Sequence, residues 1–245
     1  GFTITLLRPQ KDGIVSAAQV AAALTNTTCL VSVMYANNET GAIQPIKEIG
    51  ALCRQRGVLF HTDAVQAAGH VDIDVQRDNI NMLSLSAHKF HGPKGVGLLF
   101  AKGSIQLTSL IRGGGQERGK RAGTENLPGI VGLAAAFKDA QEQLAANTAY
   151  ITNLRDSLRA GLEQIPGASF NGSREHCLPG TVNYSFQGVN GEALLSRLAN
   201  AGICCSSGSA CSAGSLEPSH VLLALGLSSE MAQSALRFSL CAYNT

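Results

Sequence analysis

At 245 residues, with 44% apolar and 15% charged side chains, the chain has the composition of an ordinary globular protein able to bury one large core or two smaller ones. Nineteen Lys and Arg against seventeen Asp and Glu leave a net charge of +2, too small to drive binding to nucleic acid or to an acidic membrane surface. No apolar run reaches the ~18 residues of a membrane helix and no basic start with an apolar core reads as a signal peptide, so the expected compartment is the cytoplasm, or an organellar matrix if a leader was lost.

The first residues, 2–7, alternate like a strand. Ser16-Ala17-Ala18-Gln19 has the form of a capping box and predicts a short helix over residues 17–24. The apolar run 29–35 predicts a buried strand leading into Asn37-Asn38-Glu39-Thr40-Gly41, where two asparagines before a glycine mark a turn. Pro45 suits the first turn of a helix whose apolar residues Ile46, Ile49, Leu52 and Cys53 recur at helical spacing until Gly57. A second strand, 58–62, ends in Asp63-Ala64-Val65-Gln66, and strand, helix, strand implies a parallel sheet. Residues 80–85 predict a third buried strand, running into Ser86-Ala87-His88-Lys89-Phe90-His91-Gly92-Pro93-Lys94-Gly95; residues 96–100 predict a fourth that returns along the sheet edge.

Beyond these strands, residues 113–124 form a glycine-rich, basic loop, either a flexible connection or one that lets backbone and Arg or Thr side chains approach phosphate. Residues 128–165 read as helix throughout, with a domain boundary expected near residues 141–144. Residues 181–186 alternate like a half-buried strand, 191–201 read as a helix and 235–240 as a strand, together a smaller α+β unit. Seven cysteines at irregular spacing favour neither a disulfide framework nor a structural zinc, and Cys204, Cys205 and Cys211 lack a second ligand pair. Around Cys211 the residues 206–215 are small and polar and cannot anchor a core, so this thiol is expected to be exposed on a mobile loop. His220, near a helix start, reads as structural or solvated.

Two parallel strands ending in Asp63 and in Ser86-x-His88-Lys89 would bring a carboxylate and an amine to one sheet edge, where open α/β sheets bind ligands. Pyridoxal phosphate wants such a pair, the lysine for its aldehyde and the carboxylate for its ring nitrogen. Asp63-x-x-Gln66 followed by Ser86-x-His88-Lys89, and Ser206-Ser207-Gly208-Ser209-Ala210-Cys211 followed by Ser215-Leu216-Glu217-Pro218, resemble the motifs of the cysteine desulfurases, class V enzymes of pyridoxal phosphate fold type I. The likeness runs from about residue 31 to residue 240.

The resemblance implies an α/β fold whose large domain is a mostly parallel sheet (residues 1–142, with an N-terminal portion missing) and a smaller α+β C-terminal domain (residues 143–245) carrying the cysteine loop. It implies pyridoxal 5'-phosphate on Lys89, held by Asn38, Asp63, Gln66, Ser86, His88 and Thr124, the last lent across a homodimer. It implies L-cysteine bound by Asn38 and Arg237 and converted to L-alanine, with a persulfide on Cys211. A scaffold or carrier protein would then accept the sulfur for iron-sulfur clusters or thiolation, the persulfide meeting a nascent cluster only in passing. The family's N-terminal phosphate loop and ring-stacking histidine have no counterpart here, and His61, His70 and His91 match other parts of the pattern. A truncated, non-catalytic interaction module and a selenocysteine lyase stay open as alternatives.

Overall fold

The computed structural model describes residues 1–208 and 217–245. A four-stranded sheet runs in the order β1 (Leu30–Met34), β2 (Leu59–Asp63), β3 (Met82–Ser86) and β4 (Gly97–Ala101). The first three strands are parallel and β4 is antiparallel at the edge, as expected from sequence. Helix α1 (Ala17–Ala23) opens on the complete capping box of Ser16 and Gln19. Helix α2 (Ile46–Arg56) starts just after Pro45 and ends at Gly57, whose φ of 68° is the left-handed value that glycine adopts without a Cβ penalty. Its buried side chains Ile46, Ile49 and Cys53 lie on Phe60, Ile80 and Leu83, forming the core on one face of the sheet.

The opposite face is open. Leu30, Met34, Leu59 and Leu99 are 45%, 39%, 39% and 53% exposed, whereas parallel sheets are ordinarily covered on both sides. Residues 2–7, read as a strand, form none: Phe2, Ile4 and Leu6 are exposed, and no backbone hydrogen bond joins the segment to a described strand.

The helical stretch expected over residues 128–165 is two helices, α3 (Leu127–Glu142) and α4 (Leu144–Leu162), interrupted at Gln143, whose φ and ψ of −98° and 1° leave the helical region. A second, antiparallel sheet follows, in the order β5 (Ala168–Phe170), β6 (Thr181–Phe186) and β7 (Ala235–Ser239). Helices α5 (Gly191–Asn200), α6 (His220–Ala224) and α7 (Ser229–Gln233) fill the connections.

Strand β6 corrects the half-buried reading, because both of its faces are enclosed. Val182, Tyr184 and Phe186 join Leu162 and Leu236 in an apolar cluster. Asn183 and Ser185 are buried as well, held by Asn171, whose Nδ2 donates to Asn183 Oδ1 and to Ser185 Oγ at 2.8 Å each. Asn183 Nδ2 in turn donates to the carbonyl of Glu39 at 3.2 Å, joining the small sheet to the turn after β1. Buried polar groups left unpaired cost about 1–3 kcal/mol each, so Asn183→Ala is expected to lose at least about 2 kcal/mol in urea denaturation. Ser169→Ala, at an exposed position of β5, should stay within about 0.5 kcal/mol of the parent in the same measurement.

Candidate active site

Parallel register brings the C-terminal ends of β1, β2 and β3 together: Met34 lies opposite Asp63, and Asp63 opposite Ser84. Asp63 ends β2 with its side chain on the open face, and its Oδ1 accepts the amide of Val65 at 2.9 Å, starting the turn that carries half-buried Gln66. Ser86 ends β3, and the chain passes directly into a 3₁₀ turn, Ala87–Phe90. Ala87 and Phe90 anchor that turn in a cluster with Leu133, the Phe90 ring meeting Phe137 of α3 edge-on at 5.5 Å. Between the two anchors, His88 is left exposed and Lys89 half-exposed. Ser86 Oγ lies 2.9 Å from His88 Nδ1.

Sequence reasoning passed over two histidines that organise this edge. His70 Nε2 is 3.0 Å from the carbonyl of Lys89, so Nε2 carries the proton and donates. Burial pushes the His70 pKa down; its hydrogen bond to Lys89 opposes this, and the charge of His91 adds to it. His61 spans three strands on the open face, with Nδ1 2.8 Å from Ser32 Oγ and Nε2 2.8 Å from Ser84 Oγ. Burial lowers its pKa too, against the opposing pull of Asp63. The signal was present as serines and a histidine at matching offsets in three strands, legible only once the register is known.

Asn37 Oδ1 accepts the amides of Glu39 and Thr40 at 2.9 and 3.0 Å, forming the turn that presents Asn38. The Asn38 carbonyl accepts from Arg237 Nη1 of β7 at 2.9 Å, so two candidate residues from the two sheets meet directly. Arg237 also pairs through its backbone with Ser206, at 2.6 and 3.0 Å. Cys211, expected nearby, lies outside the described residues. Of the other cysteines, Cys53 is buried and its thiol is pushed up to about 11, while burial raises Cys205 as well, with Cys204 adding to it. Thr124 is exposed ahead of α3, and among the described residues no hydrogen bond links it to the sheet edge. A cavity of about 640 Å³ opens between Glu39, Asn190, Ser207, Gly208 and Ser219.

Because His61 and His70 both fold with pKa values below the usual 6.5, the unfolded chain binds more protons than the folded chain just below that value. Their contribution is therefore fully present above about pH 6.5 and is lost as pH falls through the lowered folded values. Thermal unfolding followed from about pH 8 to about pH 5 should show a melting temperature that falls on the acid side. A His61→Gln, His70→Gln double variant should show a shallower fall; an equally steep one would assign the effect to other groups.

The whole chain, residues 1–245, matches the model of the family described as aminotransferase class-V. It is 53% identical to a protein named cysteine desulfurase IscS from Clostridium botulinum, over all of this chain and 62% of that one. A protein of the same name from Methanosarcina thermophila is 48% identical over all of this chain and 61% of its own length. Among solved structures, a NifS-like protein superposes with a TM-score of 0.92 at 38% identity, over 100% of this chain and 64% of that chain. A NifS-like protein from Rickettsia africae gives 0.88 at 31% identity, over 97% of this chain and 64% of its own. The chain thus spans a little over three fifths of the length of these relatives, 61% to 64%. The α/β architecture built on a mostly parallel sheet is the one the motifs implied. With every residue inside the family match, this chain belongs to the class-V aminotransferase family.

Proposed function

We propose that residues 1–245 form part of a pyridoxal 5'-phosphate-dependent cysteine desulfurase, dividing near residues 142 and 143 into a cofactor-binding portion and a smaller portion with the sulfur-accepting Cys211. The observation that carries this reading is the shared edge: Asp63, Lys89 and the Ser86–His88 pair stand at the C-terminal ends of two adjacent parallel strands. That donor set fits the cofactor, with an amine for its aldehyde, a carboxylate for its ring nitrogen, and a hydroxyl and an imidazole for its phosphate. When bound, pyridoxal phosphate supplies an electron sink for negative charge on the substrate carbon next to the amino group.

The chain's own residues take the other roles. Lys89 Nζ would hold the cofactor's aldehyde carbon, and its amine would take the proton from the substrate Cα. Its carbonyl is held by His70, which limits how far the 3₁₀ turn can swing. Asp63 would hold a proton on the ring nitrogen, and Gln66 and Asn38 would serve the phenolic-oxygen side. The Arg237 guanidinium receives the carboxylate of L-cysteine through its planar fork, beside Asn38, to which it is already bonded. The Cys211 thiolate attacks the substrate sulfur. A sulfur–sulfur bond forms, the Cβ–sulfur bond breaks with its electron pair left on carbon, and protonation there gives alanine, so no outside oxidant is needed. Exposed Thr124 fits the phosphate of a second copy across a homodimer, and an acceptor protein removes the persulfide sulfur.

A second reading, a non-catalytic interaction module, draws on the open sheet face beside Asp63. Absorption spectroscopy decides between them. Added pyridoxal phosphate should give the purified chain a band near the visible edge that Lys89→Ala abolishes, and Cys211→Ala should lower sulfide release from L-cysteine by about a hundredfold or more. A wild-type chain that stays colourless would mean that residues 1–245 do not hold the cofactor by themselves, and the fragment or interaction-module reading takes over.

A further inference from the structure

Lys89 lies inside a turn that closes on one atom. The amides of His91 and Gly92 both donate to the Ala87 carbonyl, that of Gly92 at 2.9 Å. The Lys89 carbonyl takes its partner from outside the turn, His70 Nε2 at 3.0 Å. That imidazole stands on a firm base. The Ala64 amide donates to the Ser84 carbonyl of β3 at 2.8 Å, and the amides of Ala67 and Ala68 return to the Ala64 carbonyl at 3.0 and 2.9 Å. Those of His70 and Val71 go to the Ala67 carbonyl at 2.9 and 3.0 Å, so residues 64–71 leave Asp63 as two linked turns pinned to β3. Ala68 packs with Ala87 and Phe90 in one buried cluster, which joins these turns to the lysine turn by apolar contact as well.

The other flank of the lysine turn meets the chain after β7. The Leu240 amide donates to the Gly180 carbonyl at 2.7 Å. Next, the Cys241 amide donates to Asn244 Oδ1 at 2.8 Å and the Asn244 amide to the Cys241 carbonyl at 3.2 Å, closing a turn over residues 241–244. The Tyr150 hydroxyl of α4 donates to the Asn244 carbonyl at 2.7 Å and holds that turn against the helix. It presents Tyr243, whose ring stands edge-on to His91 with centroids 5.2 Å apart, a geometry in which aromatic rings attract beyond the area they bury. His91 has a φ of 66°, a left-handed value that a residue with a side chain keeps only when its surroundings support it.

We propose that His70 and Tyr243 are positioning residues that clamp the turn carrying Lys89, the first from the turns after β2 and the second from the segment after β7, and so tie the lysine backbone to both sheets. The purpose of the clamp rests on the reading of Lys89 as the residue that holds the cofactor. Neither side chain touches a reacting atom: His70 acts on the Lys89 carbonyl and Tyr243 on the His91 ring.

Hydrogen exchange of the His91 and Gly92 amides, read on the 245-residue chain without cofactor, tests the clamp. His70→Leu should speed it by about tenfold or more and Tyr243→Leu by about fivefold, because the turn opens locally while the sheet stays intact. His70→Gln, which keeps an N–H donor at similar reach, and Tyr243→Phe, which keeps the ring, should each stay within about twofold of wild type. Exchange within about twofold of wild type in either leucine variant overturns the proposal, as does a rise spread evenly over β1, β2 and β3, which marks general destabilisation. With pyridoxal phosphate added, the concentration that gives half of the Lys89 band should rise by about threefold or more in each leucine variant, and an unchanged concentration also overturns it. A wild-type chain that stays colourless bears on the cofactor reading alone, and the exchange rates still decide the clamp.

Discussion

The turn at residues 37–41 is where the molecule is joined. The two sheets share no strand, and the described polar contacts that cross from one to the other converge on this turn: Arg237 on the Asn38 carbonyl, Asn183 on the Glu39 carbonyl, Ser219 on the Glu39 carboxylate. The segment before β6 adds backbone bonds, Leu178 to Gly41 and Ile43 to His176. Hydrogen bonds of this kind contribute little each in water but are expensive to leave unmade once buried, so the turn and its partners form together or not at all. That makes the position of Arg237 and of Ser219 a consequence of how one asparagine, Asn37, closes one turn.

A second constraint places the lysine. Parallel pairing of β2 and β3 carries Asp63 and Ser86 to the same edge, but it leaves open where Lys89 stands three residues later. The 3₁₀ turn settles this by burying Ala87 and Phe90 on α3, which forces the residues between them outward. His70 then restrains the Lys89 carbonyl, and His91 closes the turn with a φ of 66°. The Lys89 backbone is held by apolar packing behind it and by one imidazole beside it, while the long side chain stays half-exposed.

The open face of the large sheet gives the site its electrostatic character. Asp63, His61 and Ser86 stand on a surface where Leu59 and Leu99 are also solvated, so a charge there is screened by water. On the same face, the bridge from Ser32 through His61 to Ser84 ties three strands by their side chains as well as their backbones. Such a bridge keeps Asp63 in register when little else covers that face.

Much of this was legible in the amino-acid sequence because it depends on short-range chemistry. The capping box at Ser16, the stop at Gly57, the strand endings at Asp63 and Ser86 and the returning edge strand each follow from residues a few positions apart. What the sequence left hidden depends on neighbours brought from afar. Residues 2–7 alternate correctly yet lack a partner strand, and β6 looks half-exposed until Asn171 and the turn at 37–41 enclose its second face. Serines in β1 and β3 become partners of His61 only when register is set, and Glu39 meets Ser219 across 180 positions of chain. By itself the sequence determined the elements and the chemical groups they carry, since propensity and periodicity act within a turn or a strand. Only the tertiary structure decided which of those groups touch, because burial and hydrogen-bond pairing across the chain exist only after the two sheets have closed on one another.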